Sequence, residues 1–292
     1  MAKKLVLATR GSPLALKQAE LTQAFLADAL PDAAIEIIEV ITTGDRKTSW
    51  SLEKEGGKGL FTKELEEVLL RREADLAVHS AKDLPTENPE GLDIAGYLPR
   101  EEVNDVIVMR EDVKTPKLIA TSSPRRRAQA KMLYPQVAWT EIRGNIDTRL
   151  KKVIHGHADA TILAKAGLNR LGIHTWPGIR FAPIAIEGIV PAVGQGAIAL
   201  QTRCEDVEKF ASLLDRDTAW AVTIERKFLS AWGGGCHTAF AAHYRNETLW
   251  VFHEDSGIRQ YPFRVPIDKP ELIDEKLEAI MNDIRGGKRT LE

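Results

Sequence analysis

LATRGSPLALKQA (residues 7–19) and IATSSPRRRAQA (residues 119–130) are the stretches from which the fold is read. Each runs from a short apolar segment through Ala-Thr to Ser-Pro and then into a helical pattern. Serine before a helix satisfies a free backbone N–H, and proline fits the first helical position, where no N–H is needed. A strand that turns directly into a helix opens a β/α unit. Two such openings predict two α/β lobes of similar plan.

Around the first opening the pattern predicts strands at 5–9, 35–41, 74–78 and 92–98. It predicts helices from Ser12 to residue 30 and over 62–72, the second with Leu65, Val68 and Leu69 on one face. The polar, glycine-bearing stretch 43–59 separates them, and 44–58 reads as a mobile lid. Around the second opening, strands are predicted at 106–109, 118–121, 137–142 and 160–163, with helices from Ser123, over 146–154 and over 164–171. The turn-like Val190-Pro191-Ala192-Val193-Gly194-Gln195-Gly196 precedes a strand at 197–201 that returns to the first lobe. Crossings near 99–104 and 189–196 predict a hinged pair of lobes with a ligand cleft between them. Beyond them come helices at 205–214 and 217–231, a hairpin at Asp255-Ser256-Gly257 flanked by 249–253 and 259–265, and an amphipathic helix over 270–284. The expected division is 1–98 with 194–214, then 99–193, then 215–292.

The chain has 292 residues, 43% hydrophobic and 28% charged, with net charge −2. That is enough for several domains with proper cores. The balance of charge excludes a globally basic nucleic-acid binder. Two cysteines, Cys204 and Cys236, are too few for a disulfide framework. The apolar run at 5–8 is too short for a signal-peptide core and no run approaches a membrane span, so a cytoplasmic protein is expected; a monomer is a separate expectation that these runs do not carry.

Gly233-Gly234-Gly235-Cys236 is the chemically distinctive stretch. Three glycines strip side-chain cover from the cysteine and break a helix. Two readings stand from these residues: a helix-ending turn followed by a small packing residue, or an open functional thiol. Both strand-to-helix turns carry hydroxyls and arginines: Arg10 with Ser12, and Thr121, Ser122, Ser123 with Arg125 and Arg126. Helix N-termini and arginines both favour anions. Arg143 in Ile-Arg-Gly-Asn, before Gly144, and Arg149 would add positive charge for a polyanion, although solvated arginines on helix faces are the plainer alternative. Arg125-Arg126-Arg127 lacks the aromatic interleaving of a nucleic-acid site. Asp83, after a strand and beside Lys82, is placed for acid/base work or for turn formation. Gly56-Gly57-Lys58-Gly59 lacks phosphate-loop spacing, and His155 and His157 lack metal-site partners. His79 reads as a hydrogen-bonded near-core histidine and Cys204 as structural.

The ordered motifs ATRGSPLAL, TTGD, GGKGLFTKELE, ADLAVHSAKDLP, TSSPRRRAQ, IRGNIDTRL, AGLNRLG, PAVGQGAIAL and GGGC resemble those of the porphobilinogen deaminase (hydroxymethylbilane synthase) family over nearly the whole chain. The final fifty or so residues resemble it only loosely, and His237-Thr238-Ala239-Phe240 departs from its pattern. The resemblance implies an α/β fold of two periplasmic-binding-protein-like lobes plus a small α+β C-terminal domain. It implies a transferase of tetrapyrrole biosynthesis that condenses four porphobilinogen molecules head to tail with loss of ammonia. A dipyrromethane cofactor would be held by a thioether to Cys236, with Asp83 as acid/base and cation stabiliser. The implied cofactor contacts are Ser80, Lys82, Asp83, Thr121, Ser122, Ser123, Arg125, Arg126, Arg143 and Gly144. Those to the growing chain are Arg10, Ser12, Arg126, Arg149, Arg170 and Gln195. The alternative is a non-catalytic two-lobe binding module for a small carboxylated ligand, which would need neither Cys236 nor Asp83.

Overall fold

The computed structural model describes residues 3–43, 62–233 and 239–286. The expected lid at 44–58 falls outside the described residues, and Cys236 falls outside them too. Among the described residues no helix is long and apolar enough to cross a membrane.

The chain forms two compact units. The first comprises residues 1–101, 170–172 and 196–219; the second comprises 102–169, 173–195 and 220–292. The first unit is built on a five-stranded sheet in the order β2-β1-β3-β10-β4. Its strands are β1 (Lys3–Arg10), β2 (Ala33–Val40), β3 (Leu76–Ser80), β4 (Leu92–Tyr97) and β10 (Ile198–Arg203). β1 runs parallel to both β2 and β3, whereas β10 is antiparallel to β3 and β4. Side chains alternate across β1. Leu5 and Leu7 join Ala19 and Leu26 of α1 (Pro13–Ala29), while Ala8 joins Leu65, Val68 and Leu69 of α2 (Lys63–Leu70). The sheet is therefore covered on both faces, as parallel strands require.

The second unit repeats the plan. Its sheet runs β7-β6-β8-β5-β9, from β5 (Asp105–Arg110), β6 (Leu118–Ala120), β7 (Ala138–Thr140), β8 (Ala160–Ala164) and β9 (Ile179–Pro183). β6 is parallel to β7 and β8, and β5 is antiparallel to β8 and β9. Strand for strand, β6 stands where β1 stands and β5 where β10 stands. In each sheet the fourth position is filled by the strand that follows a crossing of the chain. The helices are α3 (Pro124–Leu133), α4 (Ile146–Ile154) and α5 (Lys165–Arg170). Both Ser-Pro turns behave as the sequence predicts. Ser12 Oγ accepts from the Ala15 N–H and Ser123 Oγ from the Arg126 N–H, each with proline opening the helix.

A third, antiparallel sheet belongs to the second unit: β11 (Phe240–Arg245), β12 (Thr248–His253) and β13 (Gly257–Pro262). One face packs Phe240, Ala242, Leu249 and Val251 against α7 (Arg216–Trp232) and α8 (Leu272–Gly286). Its other face packs Ala241, Trp250 and Phe252 against Val190, Ala128 and Ile186. The short α6 (Val207–Ala211) puts Phe210 into the core of the first unit. Cys204, read as structural, sits exposed in a 3-10 turn after β10.

Candidate active site

In the first unit the carboxyl ends of β1 and β3 are neighbours, because the strands pair in parallel through Leu7 with Leu76 and Ala8 with Ala77. Ligand groups gather at such ends in open α/β sheets. Arg10 closes β1 and Ser12 caps α1. β3 closes at Ser80, whose hydroxyl is bonded to the Gln18 side chain of α1 at 2.9 Å. Lys82 and Asp83 follow in a 3-10 turn whose Ala81 is buried, so the turn is anchored from below while Asp83 is exposed.

The segment entering β10 reaches the same end of the sheet. The Ala81 N–H donates to Ala197 O at 3.0 Å, and Gly196 O accepts from Arg170 Nη2 at 2.6 Å and from the Glu101 N–H at 3.1 Å. Burial lowers the Arg170 guanidinium to about 10, with Glu101 partly restoring it. Arg10, Ser12, Ser80, Lys82, Asp83 and Arg170 are thus gathered at one end of one sheet. Just beneath them His79 is buried, with Nε2 3.1 Å from Gln201 Oε1. Burial pulls its imidazole down to about 4; the Gln201 contact opposes this and Arg10 adds to it. A neutral, packed His79 matches the near-core reading of the sequence.

The second unit holds the other candidates at the matching end of its sheet. Thr121, Ser122 and Ser123 link β6 to α3. Ser122 Oγ donates to Ile142 O at 3.1 Å, and the Ser123 N–H donates to Thr121 Oγ1 at 3.2 Å. Arg125 and Arg126 are buried and turn onto Asp105, the first residue of β5. Arg125 Nη2 lies 2.8 Å from Asp105 Oδ2, and Arg126 Nη2 lies 2.7 Å from Oδ1. The Gln195 side-chain amide reaches the same Oδ1 at 3.1 Å. Burial alone would raise the Asp105 carboxyl; the two guanidiniums reverse this and hold it well below the usual carboxylate range.

Asp105 was not singled out in the sequence, where it is one aspartate before an apolar strand. Its only signal there is a charge opening a run too apolar to leave it exposed. Arg143 is ion-paired with Glu141 at 3.5 Å, and Arg149 Nε donates to Gly144 O at 2.7 Å. Gly144 has φ +109°, and a Cβ there would lie 2.9 Å from Thr148 Cγ2. The loop therefore needs glycine twice over, for its backbone conformation and for its space.

A family profile described as porphobilinogen deaminase, dipyromethane cofactor binding domain matches residues 5–211. The chain belongs to the porphobilinogen deaminase family. A porphobilinogen deaminase of Paracoccus denitrificans is 45% identical over 244 residues, covering 80% of this chain and 77% of that protein. One from Chloroherpeton thalassium is 42% identical over 261 residues, covering 87% and 82%. Among solved structures, the periplasmic VFT2 domain of BvgS from Bordetella pertussis aligns with 75% of this chain and 86% of its own, at 19% identity and TM-score 0.43. A likeness that low carries no functional information.

The matched porphobilinogen deaminase domain is the one that binds the dipyrromethane cofactor, a group with four carboxylates. The second unit offers a fitting donor: Arg143 Nη2 is buried and finds no hydrogen-bond acceptor among the described residues. A buried guanidinium nitrogen left open is a cost unless an acceptor arrives, and a carboxylate suits it.

Proposed function

We propose that this chain works as a porphobilinogen deaminase, joining four porphobilinogen molecules into the linear tetrapyrrole hydroxymethylbilane. The observation that carries the reading is the end of the first sheet. There an exposed carboxylate, Asp83, ends a turn anchored by the buried Ala81, at the same end of the sheet as Lys82, Arg10 and Arg170. Each joining forms one carbon–carbon bond and releases one ammonia. Ammonia departure leaves a cationic methylene-pyrrole, whose charge Asp83 stabilises and whose surplus proton it manages. Arg10, Ser12, Lys82, Arg149 and Arg170 hold the acetate and propionate groups of the growing chain.

Cys236 Sγ holds the dipyrromethane through a thioether, and when bound that group supplies the free pyrrole carbon to which the first unit joins. Ser80, Thr121, Ser122, Ser123, Arg143 and the backbone at Gly144 keep its carboxylates in place. Arg125, Arg126 and Gln195 serve the same end through the order they share at Asp105. Three domains, with the third carrying Cys236, fit this division of labour. The reading also takes the protein as a cytoplasmic monomer needing neither membrane nor nucleic acid.

The test is the intact mass of the purified protein beside Cys236→Ser, followed by turnover of Asp83→Asn. Two linked pyrrole units of excess mass, absent from Cys236→Ser, are expected. Asp83→Asn should retain substrate binding but lose about 10²–10⁴-fold in kcat, the usual size of a lost acid/base group. A wild-type chain that carries no excess mass and gains none with porphobilinogen would defeat the proposal.

A further inference from the structure

Val190 is fully buried and lies outside every strand and helix, just before Pro191. Its side chain packs with Ala128 of α3 and with Trp250 and Phe252 of the third sheet. Its backbone has no sheet neighbour, so its N–H and C=O need partners from elsewhere. One side chain supplies both. Gln129 of α3 is fully buried; its Oε1 accepts the Val190 N–H at 2.7 Å and its Nε2 donates to Val190 O at 3.1 Å. The side-chain amide thus does for Val190 what the peptide groups of a neighbouring strand would do. A carboxylate of the same length accepts but does not donate, and a thioether does neither well.

Gln129 lies four residues after Arg125, so the two share a face of α3. Arg125 uses the same Val190 carbonyl: its Nη1 donates to Val190 O at 2.6 Å, while its Nη2 reaches Asp105 Oδ2 at 2.8 Å. The buried guanidinium therefore has two anchors, a carboxylate and a carbonyl whose own place is set by Gln129. All four residues belong to the second unit. A buried charge is tolerated only while its donors are met, so a displaced Val190 carbonyl would release Arg125 from its inward position. Arg125 follows Ser123 by two residues, in the first turn of α3, and its anchors set how the turn at 121–123 enters the helix. We infer that Gln129 is a positioning residue for this arginine-bearing turn. By holding the Val190 backbone it keeps Arg125 stretched between Asp105 and Val190, and keeps the turn in the shape that receives pyrrole carboxylates. It acts through Val190 and Arg125 rather than on the substrate. The inference rests on the deaminase reading above for what the turn receives.

The experiment compares the wild type with Gln129→Met, Gln129→Glu and Ile179→Ala, all as full chains. Methionine keeps the length and loses both bonds to Val190. Glutamate keeps the acceptor for the Val190 N–H and loses the donor to Val190 O, so it carries the test if the methionine variant does not fold. Ile179→Ala truncates the core of the same unit at the end of β5 away from Asp105, where Ile179 pairs with Arg110. Two readouts are taken well below every thermal midpoint. One is labelling of Arg125 by an arginine-specific dicarbonyl, located by fragment mass. The other is the split between KM and kcat for porphobilinogen. Both Gln129 variants should label Arg125 about tenfold faster and raise KM about tenfold with kcat within about twofold, the scale of one lost charge-assisted hydrogen bond used in binding. Ile179→Ala should lose thermal stability yet match the wild type in both readouts.

Equal changes in Ile179→Ala would reduce Gln129 to a stability residue and overturn the inference. Wild-type labelling in the Gln129 variants would overturn it too, as would faster labelling with an unchanged KM. A wild type that never turns over porphobilinogen would instead overturn the deaminase reading, and the positioning role with it; the labelling difference between wild type and variants would then persist and mark which of the two had failed.

Discussion

His79 ends a run of buried residues in β3 and lies one position before Ser80, where the site begins. Its imidazole is neutral in the fold because burial holds it at about 4, against 6.5 for a free histidine. Between those values the unfolded chain binds the proton and the folded one does not. Stability from this group is therefore complete above pH 6.5 and falls as pH drops toward 4, by on the order of 3 kcal/mol in all. His79→Gln, which cannot titrate, should flatten that part of the stability–pH profile in urea unfolding; a profile parallel to the wild type would show that His79 is not the group responsible. The sequence suggested a packed histidine because it follows Ala-Asp-Leu-Ala-Val. It could not indicate Asp105 as the partner of Arg125, Arg126 and Gln195. Those residues lie 20, 21 and 90 positions away from it and meet only through the crossing of the chain.

Elements with local chemistry were the legible ones. The two strand–Ser-Pro–helix turns needed only residues within one turn of each other, and both caps form. β9 and β11 escaped detection for physical reasons. β9 is a short edge strand ending in proline, and most of its residues are not buried. β11 contains two alanines, which carry little β preference, and is buried on both faces, so it shows no alternation. The turn joining β11 to β12 was hidden by Glu247. Asn246 and Glu247 take φ of 50° and 55°, a tight hairpin geometry that usually signals itself with Asn-Gly. A glutamate there bears left-handed strain of about 1–2 kcal/mol, part of it offset by an exposed ion pair with Arg264. Glu247→Gly should therefore raise stability by up to about 1 kcal/mol, even after glycine's added freedom in the unfolded chain. Chemical denaturation reads the sign directly, and a loss would mean that the Arg264 pair outweighs the strain.

For the molecule as a whole, the strand orders show why part of the plan could be read and part could not. Repetition of one local motif announced two lobes, and both sheets indeed share one order and one pattern of parallel and antiparallel pairs. Nothing local announced that the third sheet shares a compact unit with the second, because that association depends on one face of β12. Trp250 and Phe252 point toward Val190, Ala128 and Ile186, whereas Leu249 and Val251 point toward α7 and α8. Trp250 is the largest side chain on the first of these faces. Its removal in Trp250→Ala should cost about 3–5 kcal/mol, as large-to-small core changes do. Because the contact joins the third sheet to α3 and the 186–190 segment, which pack in the same unit as the second sheet, the loss should appear in both sheets. Native-state hydrogen exchange should show reduced protection for amides of β11 and β12 and also of β5, β6 and β8, with β1 and β3 unchanged. Loss confined to β11–β13 would mean that the third sheet opens independently and that Trp250 does not couple it to the second.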